Sequence, residues 1–286
     1  MGRIVWLSDI HVDHASAATL NKLYIDILRE VPDYILVTGD TSQASRFRND
    51  LITLATECGT DLLFVAGNHD YYGGSVKEIR STLQKRHRGA KTGTYTGGNG
   101  IKQMVYWLGS LALQIKSDTI ITGIDGWADT RCGDYYGSKV SISDDNFIHE
   151  LNAIRWLDMY GGAIARMQLA KQKMKWADRD ARNLARKLAK IPDYIKRVII
   201  ATHVPPFEES CLYEGRQSGE HYIPFFCSKV LGETISKIAA ENPNVMFEVY
   251  SGHTHGECSY QKTHNLKVNV AGAEYGYPKI QRVIEY

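Results

Sequence analysis

The 286-residue sequence has no run of about 18 consecutive apolar residues, so a membrane-spanning helix is not expected. Its start, MGRIVWLSDI, lacks the basic, apolar, then small layout of a secretory signal, and Trp6 stands where a myristoylation signal favours Ser or Thr. Five cysteines, Cys58, Cys132, Cys211, Cys227 and Cys258, are odd in number and form no CxxC pair. That argues against a disulfide framework and against a thiolate zinc site, and points to reduced thiols in a soluble cytoplasmic protein. A formal net charge of +2 gives no global electrostatic case for nucleic-acid binding. Internal repeats, low-complexity tracts and Pro-rich linkers are also missing, so one domain spanning residues 1–286, with a helical elaboration, is the simplest organisation. What is present is a 43% apolar fraction, ample for a buried core.

Short β-branched runs alternate with helical patterns: residues 4–7 then 19–29, 34–37 then 47–58, 62–65 then 75–87. This rhythm predicts an α/β fold. Apolar runs either side of Gly109-Ser110 suggest a hairpin, residues 93–100 a Gly/Thr turn region, and 121–138 a long surface loop. From 145 to 190 the pattern turns helical, and strands return at 197–201, 245–250, 267–270 and 282–286 around a helix at 228–240.

Five of these strands end in polar clusters. They are SDIHVDH with Asp9 and His11, TGD with Asp40, AGNHD with Asn68, His69 and Asp70, ATHVPP with His203, and SGHTHGE with His253 and His255. Taken singly, Asp-x-His and Gly-Asp are ordinary turn chemistry. Together they place five of the ten histidines at strand ends beside carboxylates and an amide, where open α/β sheets bind ligands. Imidazole nitrogen and carboxylate oxygen suit a divalent metal, and two metals roughly 3.5–4 Å apart need one bridging carboxylate. Two ligating carboxylates would leave two dications net positive, which suits an anionic phosphate ester.

In this order and spacing the set closely resembles the motif pattern of the calcineurin-like metallophosphoesterase superfamily, over roughly residues 4–272. The resemblance implies a four-layer αββα sandwich of two mixed β-sheets flanked by helices, with a dinuclear centre at one edge. It implies that Asp9, His11 and His255 hold one metal, that Asn68, His203 and His253 hold the other, and that Asp40 bridges. It also implies a catalytic rather than a ligating His69, which would protonate the leaving group while a water bridging the metals attacks phosphorus in line. Asp70 is the candidate to orient His69. The ligand types accept Mn, Fe, Zn or Co, with Mn the first expectation.

Asp13 and His14 are read as local hydrogen-bonding partners of the first motif. Tyr71, Trp127, Arg131, Tyr135, Arg216, His221 and Tyr222 are candidates to line the substrate cleft. Residues 163–190 hold nine Lys/Arg against two Asp, read as a solvated face over an apolar stripe. A small phosphomonoester or phosphodiester, nucleotides included, is the favoured substrate. A nuclease of the same superfamily and a non-catalytic metal-binding scaffold are the alternatives.

Overall fold

The computed structural model describes residues 2–88, 94–96, 102–156 and 162–286. Strand and helix alternate first: β1 (Arg3–Leu7), α1 (Ala17–Glu30), β2 (Tyr34–Thr38), α2 (Phe47–Cys58), β3 (Asp61–Val65) and α3 (Val76–Arg88). Four strands follow, β4 (Thr94–Thr96), β5 (Lys102–Trp107), β6 (Ala112–Lys116) and β7 (Thr119–Gly123), then the helices α4 (Asp144–Phe147), α5 (His149–Arg155) and α6 (Gly162–Lys187). The chain closes through β8 (Arg197–Ala201), the short strands β9 (Leu212–Tyr213) and β10 (Arg216–Gln217), α7 (Lys229–Glu241), β11 (Met246–Ser251), β12 (Cys258–Thr263), β13 (Leu266–Val270) and β14 (Arg282–Glu285).

Two six-stranded mixed sheets result, in the orders β14-β1-β2-β3-β5-β4 and β12-β13-β11-β8-β7-β6. In each, parallel central strands are flanked by antiparallel edges. The two-residue period of the strands assigns every side chain to a layer. Val5, Leu7, Ile35, Val37, Leu62 and Phe64 pack outward with Leu23 and Ile27 of α1 and with Leu51 and Leu54 of α2. Ile4, Trp6, Leu36, Leu63 and Val65 point the other way and meet Ile199, Ala201 and Tyr250 of the second sheet. Val198, Ile200, Phe247 and Val249 turn to Leu184 of α6 and to Leu231, Ile235 and Ile238 of α7. The layers are therefore helix, sheet, sheet, helix, as the resemblance implies. Strands buried on both faces read as continuous apolar runs, which is why their ends were visible in the sequence.

Three local expectations need correction. Gly109-Ser110 does not close a hairpin: β5 pairs with β3 in one sheet and β6 with β7 in the other, so a single 3-10 turn, Leu108–Ser110, carries the chain between sheets. Residues 94–96 form strand β4 beside β5, while the rest of the 93–100 region lies outside the described residues. The 121–138 segment is not a surface loop, because its first residues end β7 and Trp127, Cys132 and Tyr135 are buried, with Trp127 against Trp176 of α6. The basic face of α6 is also only partly solvated. Lys173 is buried 2.7 Å from Asp145, and Lys187 turns its amine inward onto the carbonyls of Leu108 and Gly123.

Candidate metal centre

Each polar cluster lies one to five residues beyond a strand, and backbone bonds continue the pairing into the loops. Asp9 N–H donates to Gly39 O at 3.0 Å, His11 N–H to Asp40 O at 3.0 Å, and Gly252 N–H to His203 O at 2.9 Å. The carboxyl ends of β1, β2 and β3 thereby meet those of β8 and β11 at one edge of the sandwich.

The backbone there is strained. Among the described residues eight non-glycine positions have positive φ, and five of them are Asp9, His11, Asp40, His253 and His255. Such conformations cost about 1–3 kcal/mol each and persist where surrounding structure enforces them, commonly at functional sites. The glycine before the Asn68 motif has a related cause. A Cβ on Gly67 would lie 2.2 Å from Asp40 Oδ1 and 2.8 Å from the His203 ring, so only glycine lets these two loops close on each other.

Three groups of side chains converge, each with its ligand atoms within 4.8 Å of one another: Asp9, His11 and His255; His11, Asp40 and His69; Asp9, Asp40 and His203. Asp40 thus belongs to two groups. Its Oδ1 lies 3.4 Å from His203 Nε2 and its Oδ2 3.8 Å from His11 Nε2 and 3.9 Å from His69 Nε2. His255 Nε2 stands 3.5 Å from Asp9 Oδ1 and 3.4 Å from His11 Nε2. Asn68 Oδ1 is 2.9 Å from His203 Nε2. His253 lies beside His203, ring centroids 4.9 Å apart, outside these three groups.

The outer nitrogens are held by the backbone. His203 Nδ1 contacts Thr38 O at 2.9 Å and His253 Nε2 contacts Phe225 O at 2.8 Å. These contacts leave His203 Nε2 and His253 Nδ1 to face the site, and metal-bound histidines are commonly oriented through their other ring nitrogen in this way. Asp9 is fixed by Ser8 Oγ at 2.5 Å and by the His253 N–H at 3.0 Å.

Burial opposes ionisation of Asp9, but the contact with His255 and the nearby His203 hold its carboxyl at about 2. Asp40, also buried, is held well below the usual carboxylate range by His203 and His69. Burial pushes His11 down to about 4, whereas His203 is carried up to about 10, against its burial, by Asp40. Anionic carboxylates packed in a buried, histidine-rich edge call for positive charge, supplied here by protons that a divalent ion would displace. This donor set, nitrogen and carboxylate oxygen with one amide, fits a pair of such ions.

Other expectations are met differently. Asp70 does not reach the His69 imidazole. Its two oxygens accept from the N–H groups of Gly67, Asp40, Thr41 and Ser42 at 2.8–3.1 Å, because the tight turn Asn68–Tyr71 swings it back under the β2 loop. Burial and the adjacent Asp40 push its acid form up, against the four donors that favour the carboxylate. His69 instead stacks on Tyr72, centroids 4.3 Å apart. Asp13 and His14 belong to none of the three groups, and Asp13 Oδ1 is buried without a hydrogen-bond partner among the described residues.

A cavity of about 870 Å³ opens over the centre and is lined by Asp40, Asn68, His69, His253 and His255. Of the cleft candidates only Tyr222 lines it. Tyr71 is buried on Asp125 and Arg80, and Arg131 is paired with Asp129 and Asp178. The aromatic walls are Tyr72, Tyr213, Phe225, Phe226 and Tyr275, the last packed on His11 at 4.4 Å.

Sequence reasoning missed Asp125. Its Oδ1 accepts from Ala66 N at 2.9 Å and Trp107 Nε1 at 2.8 Å, its Oδ2 from Tyr71 Oη at 2.7 Å, and its carbonyl from His203 N at 2.8 Å. Arg80 of α3 bridges Asp125 to Asp180 of α6 beneath the centre. The available signal was position, since Asp125 follows the apolar run of β7 as Asp9 follows that of β1.

A sequence model of calcineurin-like phosphoesterases matches residues 2–257. The chain belongs to that family. No curated protein matches the chain by sequence. Among solved structures, a dimetal phosphatase from Danio rerio is similar at TM-score 0.56 and 14% identity, covering 95% of this chain and 87% of the other. A phosphopantetheinyl hydrolase from Mycobacterium tuberculosis is similar at TM-score 0.55 and 13% identity, covering 97% and 95%. At these identities the likeness is one of fold. No helix among the described residues is long and apolar enough to cross a membrane.

Proposed function

We propose that this calcineurin-like phosphoesterase is a dinuclear metal-dependent hydrolase of small phosphate esters. The observation that carries the reading is the convergence of Asp9, His11, Asp40, His203 and His255 from four strand ends. In this reading Asp9, His11 and His255 hold one ion, Asn68, His203 and His253 the second, and Asp40 both. Bound there, two divalent ions would supply Lewis acidity to the phosphoryl oxygens and lower the pKa of an attacking water. The protein contributes rigid ligand placement, so that little reorganisation is needed as charge develops. His69, part-exposed at the cavity and stacked on Tyr72, is the group placed to hold a proton at Nε2 and deliver it to the leaving oxygen. Asp70 acts through the loop backbone that carries Asp40 and His69.

The cavity wall supports a small ester over a nucleic-acid strand, because its lining among the described residues contains no lysine or arginine. Neutralising a strand's phosphates takes several such side chains. The proposal takes residues 1–286 as one domain in the cytoplasm, for which the unpaired cysteines speak. Manganese is the ion to supply first. The test is hydrolysis of chromogenic mono- and diesters by metal-stripped protein resupplied with Mn, beside His69→Ala. Metal-dependent turnover lost in the variant is expected, and no turnover with Mn, Fe, Zn or Co would overturn the assignment.

A further inference from the structure

An asparagine can serve as a metal ligand only if its amide oxygen, not its nitrogen, faces the ion. We propose that Asp144, a residue of the helical elaboration, is the positioning residue that sets this choice for Asn68; the inference rests on the dinuclear reading above.

Both amide hydrogens of Asn68 are accounted for. Nδ2 donates to Asp144 Oδ1 at 2.8 Å and to Tyr72 Oη at 3.1 Å, and Tyr72 Oη donates to the same Asp144 oxygen at 2.7 Å. The three groups form a closed triangle, buried on the inner side of the cavity. Oδ1 is left pointing at His203 Nε2, 2.9 Å away. Rotating the amide by half a turn would set Oδ1 against the Asp144 carboxylate and turn two N–H groups toward the site, where a cation is to bind. The Asp144 carboxylate oxygen, which accepts both bonds, disfavours that orientation; an amide, which can also donate, would permit it.

Asp144 is itself held by the elaboration rather than by the sheets. It opens α4, whose neighbouring Asp145 pairs with Lys173 of α6. The same segment grips the loop beyond Asn68. Glu150 of α5 accepts from Ser75 Oγ and from the N–H groups of Val76 and Lys77, and Phe147 O accepts from Gly73 N at 2.8 Å. The helices outside the sandwich therefore reach the second ion through one amide.

Asp144→Asn keeps shape and removes the charge. We expect manganese titration of the stripped protein, followed by calorimetry and by paramagnetic resonance, to show one of two ions bound about 10-fold more weakly. The other ion is unchanged, and the signal of a coupled Mn pair is replaced by that of isolated Mn at subsaturating metal. Tyr72→Phe, which spares the Asn68–Asp144 bond, weakens the same ion only about threefold. A merely structural role would lower the melting temperature of the metal-free protein and leave the ratio of the two affinities untouched. Unaltered binding of both ions in Asp144→Asn overturns the proposal while the dinuclear reading stands. A wild type that takes up fewer than two ions overturns both.

Discussion

Gly67 and Asp40, on adjacent loops, approach so closely that the Asp40 backbone nitrogen lies 2.5 Å from where a Gly67 Cβ would be. That contact joins the ends of β2 and β3, and it makes the Asp40 carboxylate sensitive to one methyl group. Gly67→Ala must push Asp40 away from His203 or shift the loop that carries Asn68 and His69. The expected outcome is a 10- to 100-fold loss of metal affinity, read by competition with a chelator. Wild-type affinity in the variant would mean that the loops give way without moving the ligands.

Under the proposed function, substitutions at Asp40 and His69 should separate metal binding from proton transfer. Asp40→Asn should lose metal and turnover together, since both ions are assigned to that carboxylate. His69→Ala should keep two ions per chain and lose about 10²–10⁴-fold in kcat toward esters with poor leaving groups. An ester whose leaving group needs no proton should lose much less. Full metal occupancy in Asp40→Asn would remove the bridging assignment.

Beneath the centre, Arg80 is buried between Asp125 and Asp180 with nitrogen to oxygen distances of 2.7–2.9 Å. Replacing it with Met leaves two carboxylates without their ion-pair partner in a buried site. A stability loss of about 3–5 kcal/mol is expected from chemical denaturation of the metal-free protein. The Arg80→Met, Asp180→Leu double variant should recover part of that loss, because one of the orphaned charges is then gone.

The residues that converge at the candidate site could be read from the sequence because each follows a buried parallel strand, and such strands are legible as short apolar runs. Asp9, Asp40 and His203 were found in that way. Asp125 follows β7 in the same manner but was absorbed into a segment read as surface loop, since Gly and aromatic residues mark loops and packed cores alike. Asp144 could not be found by pattern, because its bond to Asn68 joins a helical elaboration to a strand end 76 residues away. The Gly109 turn was misjudged for a related reason. Local periodicity says that two strands follow each other, and only packing decides whether they pair or enter different sheets. The left-handed backbone of His11 or His255 is likewise imposed by the assembled edge and by nothing in the neighbouring residues.

Lys187, at the end of α6, bonds the carbonyls of Leu108 and Gly123 and gives stability a pH dependence of definite sign. Burial pulls its amine down to about 7, with Asp125 and Asp180 opposing. In the unfolded chain the amine titrates near an ordinary lysine value of about 10.4. Between these values the unfolded state binds a proton that the folded state does not, so this group makes stability rise with pH, by up to about 1.4 kcal/mol per unit. Below about 7 both states are protonated and its slope vanishes. Buried thiols work the other way: burial pushes Cys58 up to about 12, so above about 8.5 the folded state retains a proton that the unfolded state releases. The amine is therefore isolated by difference. Urea midpoints of wild type and Lys187→Met, measured without metal at pH 7, 8 and 9, should diverge, with wild type gaining on the variant at each step. Parallel curves would show that Lys187 stays charged against its two carbonyls.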